Sequence, residues 1–385
     1  MRSARGMSGA VVPRGARTAL RVVICGGGTG GHIYPGLAIA EALAASRTPV
    51  DVLFVGSDGP ERQIVPRAGW AFRPVASRKW PRRLTWTLLQ AVWLTAVGTG
   101  QALRLLMQWR PKVVVSTGGY AAAPVGAAAA LLGVAIVVQE QNLAIGVANR
   151  VLAGWARAIS VSHDRMARAL GPRAVATGVP VRRGAVGGDR TRGRRAFGLQ
   201  DRPLTILVLG GSQGARSLNA AVVDMVPALP SGAEVQILHQ TGQEHEAWVR
   251  ARIATRSESV HYVVVPYIET MADAYACADL VICRAGAATL AEVTANGLPV
   301  IVVPYPLAAD GHQDLNARVL EEAGAAMVIR DHDLSTARLA GAIAAVRADP
   351  SRRRAMAEAS RKLGRPQAAE QVAEMILKTA GGNGA

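Results

Sequence analysis

The chain has 385 residues, half of them apolar but only 4% aromatic, so it is long enough for two domains with cores of Ala, Val, Leu and Ile. Its 41 glycines and 20 prolines are dispersed, which suits many tight turns and excludes a disordered low-complexity chain. The net charge of +17 is unevenly divided: residues 1–183 carry 23 Lys and Arg against 6 Asp and Glu, while residues 184–385 carry 21 of each.

An excess confined to one half points to an anionic partner there, whether a membrane surface, a nucleic acid or a phosphorylated substrate. The plain alternative is a solvated basic surface. Cys25, Cys277 and Cys283 lie in or beside apolar segments without CxxC or Cys/His spacing, the pattern of buried thiols in a reducing compartment.

In chain order, residues 1–19 hold Arg2, Arg5, Arg14 and Arg17 but no apolar h-region, so they are predicted as a disordered tail and not a secretory signal. Leu20–Cys25 reads as a strand, Gly26–Gly31 as a glycine turn and His32–Ser46 as a helix. Further strands are predicted at Val50–Val55, Val113–Ser116, Ala135–Val138 and Ala158–Val161. Short apolar runs alternating with helices indicate a parallel sheet covered on both faces. The scheme restarts with strand Leu204–Leu209, turn Gly210–Gly214 and helix Ala215–Met225. It continues with strands Val235–His239, His261–Val265, Leu280–Cys283 and Val300–Val303. Two α/β domains are therefore predicted, 20–183 and 201–385, joined by an Arg- and Gly-rich linker at 184–200.

Two uncharged windows, Leu84–Leu103 and Ala121–Val138, invite comparison with membrane spans. The second resolves into a helix and a strand. The first is a poor span because of its threonines and glutamines. Trp80, Trp86 and Trp93 accompany it and Arg82 and Arg83 precede it, which suits a segment lying on a membrane.

Glycine turns bring backbone amides close to a phosphate or sugar, and a following helix adds its positive end. Gly26, Gly28 and Gly31 satisfy GxGxxG formally. A dinucleotide site, however, wants an acidic residue at the carboxyl end of the second strand, and Asp51 lies at the other end. No Lys-Ser or Lys-Thr follows the glycines, which excludes a Walker A loop. The second turn, Gly210–Gly214, repeats the strand–glycine–helix arrangement. In Cys283–Glu292, Gly286 opens a helix with free amides, and Glu292 shares a face with Thr289, placed to accept ribose hydroxyls. Polar clusters follow two other strands: Gln139–Asn142 and Asp310–Asn316. Asp331-His332-Asp333 resembles a metal-binding DxD but is read as helix capping, and no metal or cofactor is expected.

In order along the chain stand GGTGGH at Gly27–His32, EQN at Glu140–Asn142, PVR at Pro180–Arg182 and GGSQGA at Gly210–Ala215. CRAGAATLAE at Cys283–Glu292 and HQDLNA at His312–Ala317 complete the series. From Leu20 onward the chain resembles the MurG-type N-acetylglucosaminyltransferases. That resemblance implies a GT-B fold, with two Rossmann-like domains facing across a cleft. It also implies inverting transfer of GlcNAc from UDP-GlcNAc to the lipid-linked muramyl acceptor lipid I. The N-terminal domain would receive the acceptor and face the membrane. The C-terminal domain would hold the UDP-sugar, its last helix able to pack back on the first.

Carried over residue by residue, the resemblance gives a donor site of Thr29, Gly30, Gly31, Asn142, Arg182, Ser212, Ile268, Ala287, Ala288, Thr289, Leu290, Ala291, Glu292 and Gln313. Ser212 would face the diphosphate, Ile268 the uracil, Glu292 the ribose and Gln313 the transferred sugar. His32 is the first candidate for the general base and Glu140 the second. The expected partners are UDP-GlcNAc, lipid I, the anionic inner membrane surface and other cell-wall synthesis and division proteins, with no nucleic acid. The expected location is peripheral, on the cytoplasmic face of the membrane. Three positions depart from the family pattern: Gln139 replaces a frequent histidine, Val179 an asparagine and Ala285 a serine.

Overall fold

In the computed structural model, residues 19–79, 86–201, 203–211, 214–229, 235–255, 260–308 and 311–381 are described, Thr87 and Leu88 by backbone alone. Residues 1–18 of the predicted tail and Trp80, Arg82, Arg83 and Ser212 lie outside the described residues.

The first sheet contains β1 (Leu20–Gly26), β2 (Val50–Gly56), β3 (Ala71–Pro74), β4 (Val113–Gly118), β5 (Ala135–Glu140), β6 (Ala156–Val161) and β7 (Ala174–Ala176). The strands are parallel, in the order β3-β2-β1-β4-β5-β6-β7. Helices α1 (Gly30–Ala44), α2 (Glu61–Arg67), α3 (Trp86–Trp109), α4 (Ala122–Leu131), α5 (Val147–Ala153) and α6 (Asp164–Leu170) connect them. The apolar runs explain the architecture. Val22 and Ile24 of β1 enter one core cluster while Val23 and Cys25 enter another, so neighbouring side chains cover opposite faces of one buried sheet.

After α7 (Arg190–Phe197), the second sheet contains β8 (Leu204–Leu209), β9 (Val235–Gln240), β10 (His261–Val265), β11 (Leu280–Cys283), β12 (Val300–Val302) and β13 (Ala326–Val328). Its parallel order is β10-β9-β8-β11-β12-β13. The helices are α8 (Arg216–Met225), α9 (Gln243–Ala254), α10 (Met271–Cys277), α11 (Ala287–Ala295), α12 (His312–Glu322), α13 (Thr336–Ala348), α14 (Pro350–Leu363) and α15 (Ala368–Gly381). The last of these returns to the first sheet: Ala369, Val372, Ala373 and Ile376 share a core cluster with Val22, Leu37 and Val113.

Some elements differ from the sequence reading. β3, β7 and β13 were not anticipated, because they are three or four residues long and largely half-buried or exposed. α1 starts at Gly30, two residues before the predicted start. Residues 184–200 contain α7, capped by Asp189, whose side chain accepts from the Arg192 amide. That helix docks on α10 through Arg192 and Asp273, 2.6 Å apart. All three cysteines are buried and free.

α3 is a single helix that buries Ala91, Ala102 and Leu106, while Trp86, Leu89, Val92 and Trp93 stay exposed. Among the described residues, no helix is long and apolar enough to cross a membrane.

Candidate active site

Strand order reverses beside β1 in one sheet and beside β8 in the other, between β1 and β4 and between β8 and β11. In open α/β sheets such switch points leave a crevice at the carboxyl ends of the strands. Both glycine turns follow the strands that border these crevices. The two halves meet there: Tyr34 Oη of α1 lies 3.2 Å from Tyr267 Oη, and the Leu143 amide donates to Asn316 Oδ1 at 3.4 Å.

On the first side, Gly28 has φ +84° and a Cβ there would lie 2.5 Å from Tyr120 Cε1, so this position requires glycine. Thr29 begins α1 in extended conformation without a side-chain cap. Its carbonyl accepts from the His32 and Ile33 amides, which leaves the Gly30 and Gly31 amides for other acceptors. The His32 ring is held from behind. Its Nδ1 lies 2.9 Å from the Thr117 carbonyl oxygen, which can only accept, so Nδ1 carries the proton and Nε2 keeps its lone pair. The Gln141 amide nitrogen is placed 2.6 Å from the same Nδ1, while Gln141 Oε1 has no partner. Two donors cannot pair, so the hydrogen-bond chemistry assigns the Gln141 oxygen to that position. Surrounding protein lowers the His32 pKa; the Thr117 carbonyl, Glu140 and Glu61 raise it in part, and His312 opposes them.

Glu140 is buried at the end of β5 and its carboxylate is fully engaged. Oε1 accepts from Asn142 N and Nδ2 at 3.0 and 3.3 Å, and Oε2 from Gly146 N and Asn149 Nδ2 at 3.0 and 2.9 Å. Four donors fill the lone-pair positions of a carboxylate. This group therefore orders the 140–146 loop and offers no free acceptor to the cleft.

On the second side, α11 starts at Gly286 without a side-chain cap, so its first amides are open. Tyr275 Oη donates to Glu292 Oε2 at 2.8 Å, which leaves Oε1 available. Burial pushes the Glu292 carboxyl up to about 7, against the lowering pull of Tyr275 and Arg182. Arg284, at the carboxyl end of β11, donates to the Val303 and Pro304 carbonyls, Asp331 and Ser217. It thereby ties the start of α8 to the loop after β12. That loop is held again where the Tyr305 amide donates to Gln313 Oε1 at 2.9 Å.

The chain matches the glycosyltransferase family 28 N-terminal domain over residues 22–161 and its C-terminal domain over residues 205–372. It is 42% identical over 369 residues to the UDP-N-acetylglucosamine–N-acetylmuramyl-(pentapeptide) pyrophosphoryl-undecaprenol N-acetylglucosamine transferase of Desulforudis audaxviator. That match covers 94% of this chain and 99% of the relative. The transferase of the same name from Moorella thermoacetica is also 42% identical, over 94% of this chain and 99% of its own length. Among solved structures, MurG of Acinetobacter baumannii superposes with a TM-score of 0.74 at 29% identity, over 93% of this chain and 99% of that one. This chain belongs to glycosyltransferase family 28. Its two parallel sheets are the GT-B fold of the family. The kitacinnamycin glycosyltransferase, at 16% identity and TM-score 0.68 over 95% of this chain and all of that one, shares the fold alone.

Within this family 28 architecture the expected site residues divide unevenly. Thr29, Gly30, Gly31 and His32 lie at the α1 start, and Ala287, Ala288, Thr289, Leu290, Ala291 and Glu292 run along the first turns of α11. Leu290 and Ile268 are buried, so their side chains serve the core. Arg182 is engaged with Glu41 of α1 at 2.8 Å and acts electrostatically on Glu292. Asp331-His332-Asp333 is not the cap of α13; Ser335 is, and Asp331 is the ion-pair partner of Arg284 at 2.6 Å. Sequence reasoning missed Glu61, Tyr120, Tyr275 and the role of Arg284. Each acts through a partner distant in sequence. The available signals were weak ones, such as a tyrosine within the alanine-rich α10.

Proposed function

We propose that this chain transfers N-acetylglucosamine from UDP-GlcNAc to the muramyl 4-hydroxyl of lipid I, giving lipid II for peptidoglycan synthesis. The observation that carries the reading is the pairing across one cleft of an oriented histidine with an uncapped, carboxylate-bearing helix start. The first half would receive the acceptor and residues 201–385 the donor.

In the reaction, the O4–C1 bond forms as the bond from C1 to the β-phosphate oxygen breaks. Attack is from the opposite face, so the product linkage is β. His32 Nε2 takes the hydroxyl proton as the oxygen becomes nucleophilic, and the Thr117 carbonyl stabilises the imidazolium that results. Charge on the departing diphosphate would be met by the open amides of α11 and the Gly210–Gly214 turn. Glu292 Oε1 would accept from the ribose hydroxyls, Gln313 Nε2 would donate to the transferred sugar, and the main chain at Ile268 would meet the uracil. Glu140 is assigned to loop order, Asn142 being one of the groups it holds.

The face of α3 with Trp86 and Trp93, 81% and 69% exposed, would rest on the anionic inner membrane. Exposed Val147, Val151 and Trp155 extend the apolar surface around α5, which packs on α4 beside α3. The enzyme would then sit peripherally on the cytoplasmic face, with other cell-wall synthesis and division proteins as its expected neighbours.

The test is release of UDP from UDP-GlcNAc on addition of a lipid I analogue. Release with a diacylglycerol or a free polyol but not with that analogue would replace the acceptor assignment, and no release with any acceptor would sink the transferase reading.

A further inference from the structure

Beneath the first glycine turn lies a buried carboxylate with no place in the reaction just described. Glu61 is 1% exposed, at the first position of α2. Its Oε2 accepts from the Gly28 amide at 2.9 Å, and its Oε1 from the Ser57 amide and hydroxyl at 2.9 and 2.5 Å. All three partners are donors, which suits an ionised carboxylate. The Ser57 hydroxyl also lies 3.3 Å from Tyr120 Oη, and the Tyr120 ring covers Gly28. A Cβ at Gly27 would lie 2.1 Å from Glu61 Oε1, so the turn is moulded closely onto this side chain. Three loops, after β1, β2 and β4, are thus joined at one carboxylate. Glu61 and His32 line the same small void of about 10 Å³, together with Gly26 and Thr117.

We infer that Glu61 is a positioning residue that acts as the resident anion of the first glycine turn, fixing the Gly26–Thr29 backbone so that His32 Nε2 faces the acceptor hydroxyl. The inference rests on the transferase reading and on His32 as its base. Two physical consequences follow. First, the Gly28 amide is occupied, so a substrate phosphate at this turn would meet the amides that remain open, among them Gly30 and Gly31. Second, a negative charge near His32 favours the imidazolium formed when the base takes its proton. The charged groups acting on His32 are Glu140 and Glu61, which raise its pKa, and His312, which lowers it.

A purely structural Glu61, closing the β2–α2 turn, would use the same hydrogen bonds. The two roles separate in kinetics. Glu61→Gln supplies one acceptor oxygen where two are used, so the Gly28 or Ser57 amide is left facing an NH2 group. The expected result is kcat lower by about 10- to 100-fold, the loss that a misplacement near 1 Å produces, with KM for UDP-GlcNAc changed by less than about threefold. Loss of the negative charge lowers the His32 pKa, so the acid limb of kcat/KM moves to lower pH. Glu61→Asp keeps the charge but shortens the reach. It is expected to lower kcat while leaving the acid limb near that of the wild type.

Amide hydrogen exchange supplies a readout independent of turnover, with Gly28 protection lost in Glu61→Gln. Wild-type kcat and an unmoved acid limb in Glu61→Gln overturn the inference. So does a parallel fall in kcat, donor affinity and Tm with the limb unmoved. If Glu61→Gln does not fold, Ser57→Ala decides: it removes one bond to Oε1, and kcat is expected to fall by a few-fold, an unchanged kcat overturning the inference. Wild-type enzyme run in parallel separates the two levels. Failure of the wild type to release UDP with the lipid I analogue breaks the transferase reading, and the exchange measurement still tests whether Glu61 fixes the turn.

Discussion

The two glycine turns occupy equivalent places in their sheets but are held by opposite means. Behind the first lies a carboxylate, Glu61, bonded to the Gly28 amide, with Glu140 a second anion in the field of His32. Behind the second lies an uncharged network. Asn219 Nδ2 donates to the Thr241 carbonyl, and Asn219 Oδ1 accepts from Nε2 of the buried His239, whose Nδ1 accepts from Tyr262. Burial pushes the His239 pKa down to about 3, so the ring is neutral. Gly214 packs on that same Thr241 carbonyl, where a Cβ would lie 2.1 Å from the oxygen. The nearby charged group, Arg284, is itself paired with Asp331. One backbone device therefore serves two tasks. In the proposed reaction the anions beside the first turn offset part of the burial that lowers the His32 pKa, while the second turn, backed by neutral groups, would leave its amides to a diphosphate.

The largest expected effect tests the first turn. His32→Ala is expected to lower kcat by about 10²- to 10⁴-fold, the range for a lost general base, while UDP-GlcNAc affinity changes by less than about twofold. Calorimetric titration of the donor alongside turnover reads both. Near-wild-type turnover would move the base elsewhere, and a matching loss of donor affinity would erase the division of labour between the turns.

The second turn is tested at Arg284. Its side chain is only 10% exposed, and the guanidinium donates to two carbonyls, Asp331 and Ser217 at once. Arg284→Ala leaves the Asp331 carboxylate without its partner and frees the loop that carries Tyr305. A cost of about 3 kcal/mol in unfolding free energy is expected, with donor affinity weakened about tenfold and acceptor KM little changed. Arg284→Lys should rescue poorly, because a single ammonium cannot reproduce the guanidinium fork. Full rescue by lysine in a denaturation series would show that charge alone matters there.

This pair of residues also shows what was legible in the sequence. The strand–turn–helix units were, because apolar runs such as Leu20–Cys25 and Leu204–Leu209 end in glycines and each run covers both faces of a parallel sheet. The loops of the site followed from their place after those strands. The groups beneath them did not. Glu61 sits in the polar run SDGPER, which reads as an exposed helix start, and its partner Gly28 is 33 residues away. Asp331 reads as a cap because Ser335 stands nearby, yet its partner Arg284 lies 47 residues earlier. Local pattern announces elements. Pairings across a crevice are set by topology, which only the folded chain displays.

A smaller effect belongs to the outer face of the first half. Replacing both Trp86 and Trp93 by serine removes two exposed indoles from α3 and touches none of its buried positions. Binding to vesicles containing anionic phospholipid is expected to weaken by about tenfold or more, with turnover of a water-soluble acceptor analogue retained. Unaltered sedimentation with the vesicles would detach the basic half from the membrane.

The smallest expected effect is a pH dependence that assigns one titration to each side of the cleft. Glu292, pushed up to about 7, loses its charge as pH falls through that value, and with it an ionised acceptor for the ribose hydroxyls. Donor affinity should therefore be highest above about pH 7.5 and weaken by a few-fold at pH 6. His32 shifts in the opposite sense. Burial lowers its pKa below the ordinary histidine value, so the proposed base titrates at lower pH than Glu292. The acid limb of kcat then lies below the pH at which donor KM begins to rise. Glu292→Gln should abolish the change in donor KM near pH 7 and leave the lower limb in place. If both limbs move together in that variant, the two sides of the cleft titrate as one unit and the separation between them fails.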